Sequence, residues 1–288
     1  MKGIVLAGGL GTRLYPLTKS VSKQLLPTYD KPMIYYPIST LLLAGIKDIL
    51  VISSSKDIKN YEILLGDGSN LGCNIEYKIQ EYPNGLAEAF IIGEEFIGSD
   101  NVCLVLGDNF FYVAGFTAIL EKCLNPSGGI VFAFQVKNPE DYGVVRFDKN
   151  HRAIEIIEKP KEFISPYAVP GLYFYSNDVI DVAKKIKPSK RGELEISSIN
   201  QYFIEQSSLE VRILSRGATW LDTGSFDALL KASSFVELIQ NRQNISIGSI
   251  EEIAFRKGFI DSKQLFELSK KFNNSYGDYL RSLTERFN

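Results

Sequence analysis

A chain of 288 residues suits one large α/β domain or two small ones, with length enough for a sizeable core. Its 45% apolar and 23% charged residues are an ordinary globular composition, and 32 basic against 34 acidic side chains leave a net charge of −2, which excludes a global attraction to nucleic acid or to an anionic membrane. No apolar run approaches the ~20 residues that cross a bilayer, and Met1-Lys2-Gly3-Ile4 leads into a strand without a signal-peptide pattern, so the cytoplasm is the expected location.

In chain order, Gly3 to Ala7 reads as a strand, Met33 to Ala44 as a helix, Asp48 to Ser53 and Asn74 to Lys78 as strands, and Leu86 to Ile97 as a helix. Asn101 to Leu106 is an apolar run ending at Gly107-Asp108. Consecutive apolar residues at Val102 to Leu106 suit a parallel strand covered on both faces, and ligands of such sheets bind beyond the carboxyl ends of the strands, where Asp108 falls. The middle is richer in strands: Gly129 to Val136, Gly143 to Asp148, Ala153 to Glu158 and Ala168 to Tyr175. Val179 to Lys187 and Ile196 to Gln206 read as helices, Glu210 to Leu214 and Thr219 to Leu221 as short strands. From Phe226 onward the periodicity is helical, punctuated by Gly248 and Gly258.

Cys73, Cys103 and Cys123 show no CxxC spacing and read as reduced thiols in or near the core. His151, the one histidine, sits in the polar turn Asp148 to Arg152 and reads as a solvated loop residue. Hydrolase chemistry built on a histidine base would rest on this residue alone.

The stretch Ala7-Gly8-Gly9-Leu10-Gly11-Thr12-Arg13 comes directly after the first strand, so backbone N–H groups can converge on an anion while Arg13 supplies charge. It is either a polyphosphate cradle or a tightly packed turn. It is not a dinucleotide fingerprint, because Leu14 stands where Gly or Ala is needed and the second strand ends in serines rather than an acid. It is not a P-loop, because no Gly-Lys-Ser/Thr closes it.

The residues immediately beyond the loop narrow the choice. "SKQLLPTYDKPMIYYP", with Lys23 in a Lys-x-Leu-Leu-Pro setting, resembles the sugar-nucleotide pyrophosphorylases and, among them, the glucose-1-phosphate thymidylyltransferases. Further similar segments occur in the family's order: "EYPNGLAEAFIIGEEFIG", "LGDNFFY", "DYGVVRFD", "IEKP", "GLYFYSNDV", "RGELEIS", "TWLDTGS" and "EEIAFRKGFID". The chain departs from the pattern at Val113-Ala114-Gly115, Pro170 and Ser197-Ser198, none of which is charged.

The resemblance implies a single Rossmann-like α/β nucleotidyltransferase domain with a mostly parallel mixed sheet flanked by helices. Residues 1–225 would form the core, its nucleotide-binding half roughly 1–112 and its sugar-binding half roughly 113–225, with 226–288 a helical extension packed on the core and at subunit contacts. The implied reaction joins glucose 1-phosphate to the α-phosphorus of dTTP, giving dTDP-glucose and pyrophosphate. The attacking phosphate is already ionised at neutral pH, so positioning and charge neutralisation remain to be supplied.

It further implies that Gly8, Gly9, Gly11, Thr12 and Arg13 hold the triphosphate with Lys23. Gln24, Gln80, Gly85 and Asn109 would contact the nucleotide, Gln80 reading the base. Tyr142, Gly143, Glu158, Val169 and Tyr173 would line the hexose pocket, with Lys159 and Arg191 on the sugar phosphate. Asp108 and Asp222 would hold Mg²⁺; taken alone, an aspartate after a strand is as readily a helix cap, and a tyrosine is more readily a packing residue.

A homotetramer inhibited by a dTDP-sugar at a separate interface site is implied as well, without nucleic-acid or membrane partners. The pathway expected is deoxysugar and surface polysaccharide synthesis, dTDP-rhamnose among its products. A transferase for another pyrimidine nucleotide or hexose phosphate, an inactive nucleotide-sugar-binding regulator and a nicotinamide oxidoreductase are the competing readings; the failed fingerprint weakens the last.

Overall fold

A computed structural model describes residues 1–150 and 152–286; the loop reading of His151 lies outside the described residues. The first half contains β1 (Lys2–Ala7), the hairpin β2 (Pro27–Thr28) and β3 (Lys31–Pro32), α1 (Tyr35–Leu43), β4 (Asp48–Ser53), α2 (Ile58–Leu65), β5 (Asn74–Ile79), α3 (Glu88–Ile92), α4 (Glu94–Ile97) and β6 (Val102–Leu106). Pro37 falls in the first turn of α1, where its missing N–H breaks no helical bond. The helix expected over Leu86 to Ile97 is two short ones, divided at Gly93.

The second half contains β7 (Asn109–Tyr112), α5 (Phe116–Glu121), β8 (Gly129–Gln135), β9 (Gly143–Phe147), β10 (Ala153–Glu158), β11 (Tyr167–Ala168), β12 (Leu172–Tyr175), α6 (Val179–Lys185), α7 (Ile196–Glu205), β13 (Leu209–Ile213) and β14 (Thr219–Asp222). The single strand expected from Ala168 to Tyr175 breaks at Val169-Pro170-Gly171. Pro170 has no N–H for a ladder, and there the chain keeps β8 on one side and exchanges β9 for β6 on the other. Four helices close the chain: α8 (Phe226–Gln243), α9 (Ile250–Arg256), α10 (Ser262–Ser269) and α11 (Ser275–Arg286).

The strands form one mixed sheet in the order β10-β9-β11-β8-β12-β6-β1-β4-β5, with β13 parallel to β8. Strands β6, β1, β4 and β5 are parallel, and β12 joins them to the antiparallel second half. Alternation along β1 decides the layers. Val5 and Ala7 face one apolar core with α1, α5 and α9 to α11, while Ile4 and Leu6 face another with α3, α6 and α7.

Outside the main sheet, β7 and β14 pair antiparallel, with Asn109 opposite Asp222. That pairing brings two distant stretches of sequence to one edge of the sheet.

Candidate active site

The carboxyl ends of the parallel strands supply the site. β1 opens into the glycine loop, β6 into Gly107-Asp108, and β5 into Gln80, whose backbone N–H donates to the Ser53 carbonyl at the end of β4 (2.8 Å). In the loop, Gly11 takes a left-handed φ of 60° and starts the single turn Thr12–Leu14. Buried Leu14 anchors that turn beneath, and the Thr18 hydroxyl donates to the Gly11 carbonyl (2.7 Å). A cavity of about 230 Å³ results, lined by Gly9, Gly11, Thr12, Arg13, Lys23, Gln24, Asp108 and Asp222.

Lys23 and Gln24 lie on one short turn, and both are buried. The Gln24 amide oxygen accepts from the Ser22 hydroxyl (2.8 Å), itself bonded to the phenol of buried Tyr61 (2.7 Å). Lys23 Nζ donates to Asp108 Oδ2 (2.5 Å) and lies 3.9 Å from Asp222 Oδ1. Thr223, beside Asp222, donates from its hydroxyl to the Asp108 carbonyl (3.0 Å) and ties the two segments together.

The two carboxyls are held in opposite directions. Burial pushes Asp108 up, but the Lys23 ammonium, with hydrogen bonds from Lys23 and Asn109, outweighs it and holds the group below its ordinary value. Asp222 is pushed up to about 6 by burial and then by the charge on Asp108, against the pull of Lys23 and Arg13. A close carboxylate pair that an ammonium already bridges is a hard-oxygen donor set, which fits a divalent cation completed by phosphate oxygens. Among the described residues no group of three or more acidic, histidine or cysteine side chains could hold a metal by itself.

A second cavity, of about 200 Å³, is lined by Gly8, Gly9, Gln24, Gln80, Gly85, Leu86 and Asp108. The Gln80 amide nitrogen donates to Glu88 (2.7 Å) and, more weakly, to the Gly85 carbonyl (3.3 Å). Gly85 has φ 110°, and a β-carbon there would stand 2.4 Å from the Leu194 carbonyl oxygen, so only glycine fits. Leu194 N–H donates to the Asn84 carbonyl (2.6 Å), which locks this loop to the segment carrying Arg191.

A third cavity, of about 170 Å³, is lined by Tyr142, Gly143, Glu158, Lys159, Val169 and Tyr173, together with Arg13, Asp108, Asn109 and Asp222. Lys159 has a left-handed φ of 44°, held by its N–H donating to the Tyr142 carbonyl (2.9 Å); strain of this kind collects at functional sites. Burial, and next the charge of Glu195, raises the Glu158 carboxyl above its ordinary value against Lys159 and Arg191. Arg191 is placed outside this lining. Its guanidinium donates to Glu195 (2.9 Å) and reaches Glu158 at 3.9 Å.

Every other candidate catalytic or binding residue named from the sequence lines one of the three cavities, and Asp108 lines all of them. Residues that the sequence alone does not single out include Leu86, Leu106 and Trp220 in the walls, Thr223 behind Asp108, and Glu195 behind Arg191. Trp220 carries a signal that could have found it, since it is the only tryptophan and stands two positions before Asp222. Glu195 carries no such signal.

Three cavities that meet at Asp108, one of them walled by a glycine loop, on a sheet with this strand order, are the frame of a nucleotidyltransferase. The nucleotidyl transferase family model matches residues 2–238, and the chain belongs to that family. It is 57% identical to the glucose-1-phosphate thymidylyltransferase of Neisseria meningitidis (serogroup A) over 99% of this chain and 100% of the relative. It is 54% identical to the Mycolicibacterium smegmatis enzyme of that name, again over 99% and 100%. A Bacillus anthracis structure assigned to the same activity and crystallised with sucrose superposes with TM-score 0.76 at 38% identity, over 82% of this chain and 94% of that one. A UDP-glucose pyrophosphorylase holding UDP-glucose, at 23% identity and TM-score 0.71 over 82% and 98%, shares the fold. No described helix is long and apolar enough to cross a membrane.

Proposed function

We propose that this nucleotidyltransferase moves a thymidylyl group from dTTP to glucose 1-phosphate, releasing pyrophosphate and dTDP-glucose for deoxysugar and surface polysaccharide synthesis. The observation that carries the reading is the junction of three cavities at Asp108. A base, a triphosphate and a sugar phosphate placed in them meet where one phosphate oxygen must attack another phosphorus.

The protein's part is placement and charge. Arg13 and the amides around Gly11 hold the β and γ phosphates and take up charge on the departing pyrophosphate. Lys23 serves the α-phosphate. Lys159 and Arg191 receive the sugar phosphate, and Glu158 accepts from sugar hydroxyls. Asp108 and Asp222 would hold Mg²⁺, which when bound would neutralise phosphate charge as a Lewis acid. With its amide nitrogen engaged by Glu88, Gln80 keeps its oxygen for the ring N–H that thymine and uracil carry and cytosine lacks.

The exposed side chains Phe226, Leu230 and Leu238 along α8 support a subunit contact in a homotetramer, where a dTDP-sugar end product would act.

Pyrophosphate release from dTTP, UTP and CTP, each with glucose 1-phosphate and with or without Mg²⁺, tests the assignment. Magnesium-dependent turnover with dTTP first, UTP next and CTP negligible is expected, because a methyl contact discriminates by only about 1–3 kcal/mol. Binding without turnover identifies a regulatory protein, and equal or better turnover with CTP overturns the choice of nucleotide.

A further inference from the structure

Asn109 is uncharged and buried, yet its side chain serves three separate segments. Its amide nitrogen donates to Asp108 Oδ1 (2.9 Å). Its amide oxygen accepts from the Trp220 indole N–H (2.6 Å) and from the Gly171 backbone N–H (3.0 Å). The orientation is forced, since an indole and a peptide N–H can only donate and an ionised carboxylate can only accept.

Each partner leads to a different part of the site. Asp108 Oδ1 is held by Asn109 while Oδ2 is held by Lys23, so the carboxylate is fixed at both oxygens. Trp220 lies on β14 two residues before Asp222, and its ring packs edge-on against Tyr142 with centroids 4.9 Å apart. Gly171 enters β12, which carries Tyr173 into the sugar cavity. One amide therefore joins a carboxylate of the reacting centre to two walls of the sugar pocket.

We propose that Asn109 is a positioning residue that fixes Asp108 through its amide nitrogen and the sugar-pocket wall through its amide oxygen, rather than a ligand of the nucleotide. The inference rests on the roles proposed for Asp108 and the sugar cavity. Removing the amide leaves the Trp220 and Gly171 donors without acceptors in a buried place and frees one carboxylate oxygen, so both halves of the site loosen together.

Three variants test it: Asn109→Ala, Trp220→Phe, which keeps a ring but removes the donor, and the double variant. In Asn109→Ala, kcat falls about tenfold and the KM for glucose 1-phosphate rises about tenfold, the scale of a lost hydrogen bond to a buried or charged group. The KM for dTTP stays within about twofold in that variant, because uniform nucleotide binding is untouched. Trp220→Phe raises the KM for glucose 1-phosphate with kcat within about twofold, and the double variant has the KM of Asn109→Ala within about twofold, since linked residues are not additive.

Trp220 is the only tryptophan, so its emission, shifted to the blue in Asn109→Ala as the buried indole N–H loses its acceptor, reads the link without any turnover. An unchanged emission, a raised KM for dTTP, or additive effects in the double variant overturns the proposal. Should Asn109→Ala not fold, Trp220→Phe decides alone, and a kcat lowered as far as the KM is raised counts against it. If the unaltered protein turns over no dTTP and glucose 1-phosphate, the reaction assigned to the site fails, while the emission of Asn109→Ala still judges the hydrogen bond.

Discussion

Lys23 Nζ sits 2.5 Å from Asp108 Oδ2 and 3.9 Å from Asp222 Oδ1. One ammonium thus screens two carboxylates, a charge arrangement that a bound cation and triphosphate would redistribute. Removing the second carboxylate leaves the Lys23–Asp108 pair intact and takes away half of the donor set. Asp222→Asn is therefore expected to bind dTTP with nearly unchanged affinity by calorimetry while kcat falls by about a hundredfold. An unchanged rate at saturating Mg²⁺ removes Asp222 from the metal site.

The raised carboxyl of Glu158 gives a pH dependence with a definite sign. Burial and the charge of Glu195 make it take up its proton at higher pH than an ordinary glutamate, so acceptor capacity begins to be lost earlier on acidification. The KM for glucose 1-phosphate is expected to climb on acidification, starting above the range of an ordinary glutamate, more steeply in the native protein than in Glu158→Gln. The second ionisation of the sugar phosphate, near roughly pH 6, affects both alike and cancels in the ratio. Parallel profiles would deny Glu158 its contact with the sugar.

Much of this is legible in the chain, for reasons that differ by element. Asp48 to Ser53 is apolar, β-branched and bounded by turns, and the strand has those ends. The glycine loop and Lys23 announce themselves by local composition and by resemblance. The nearness of Asp108 and Asp222 can only be borrowed from that resemblance. It depends on Asn109–Tyr112 becoming a strand and pairing with Thr219–Asp222, a long-range choice that a short aromatic run does not reveal. Tyr61 escapes notice with its helix, Ile58–Leu65, and its phenol reaches the site only through Ser22. Arg191 is visible as a cation, but the carboxylate of Glu195 that holds it becomes a neighbour only when α7 begins there.

Gly85 offers a test that separates backbone shape from charge. Its φ of 110° and the approach of the Leu194 carbonyl to 2.4 Å of a built β-carbon leave no room for a side chain. Gly85→Ala is expected to cost about 1–3 kcal/mol in stability and to raise the KM for dTTP more than that for glucose 1-phosphate, because the displaced loop bears on Gln80. Denaturant unfolding and initial rates with each substrate varied in turn would check it. Equal effects on both substrates would mean that the loop does not belong to the base.

The final helices offer the broadest prediction, because they enter the first core rather than trail from it. Ile250, Ala254, Leu265, Leu268, Leu280 and Leu283 are buried in the same cluster as Val5, Ile38 and Leu41. Lys31 adds a polar tie: its buried ammonium donates to Asp30 (2.7 Å), Ser246 (3.0 Å) and Gln240 (3.3 Å), the last two beyond residue 225. A chain ended at Ser225 would expose the apolar face and leave that ammonium with one partner, each a large penalty for so marginal a balance. It is expected to lose cooperative unfolding and to bind hydrophobic dyes, whereas Lys31→Met in the full chain, which removes the charge but keeps the bulk, should lower Tm by only a few degrees. A truncated chain that unfolds cooperatively and binds dTTP as the full protein does would show instead that residues 226–288 are dispensable to the core.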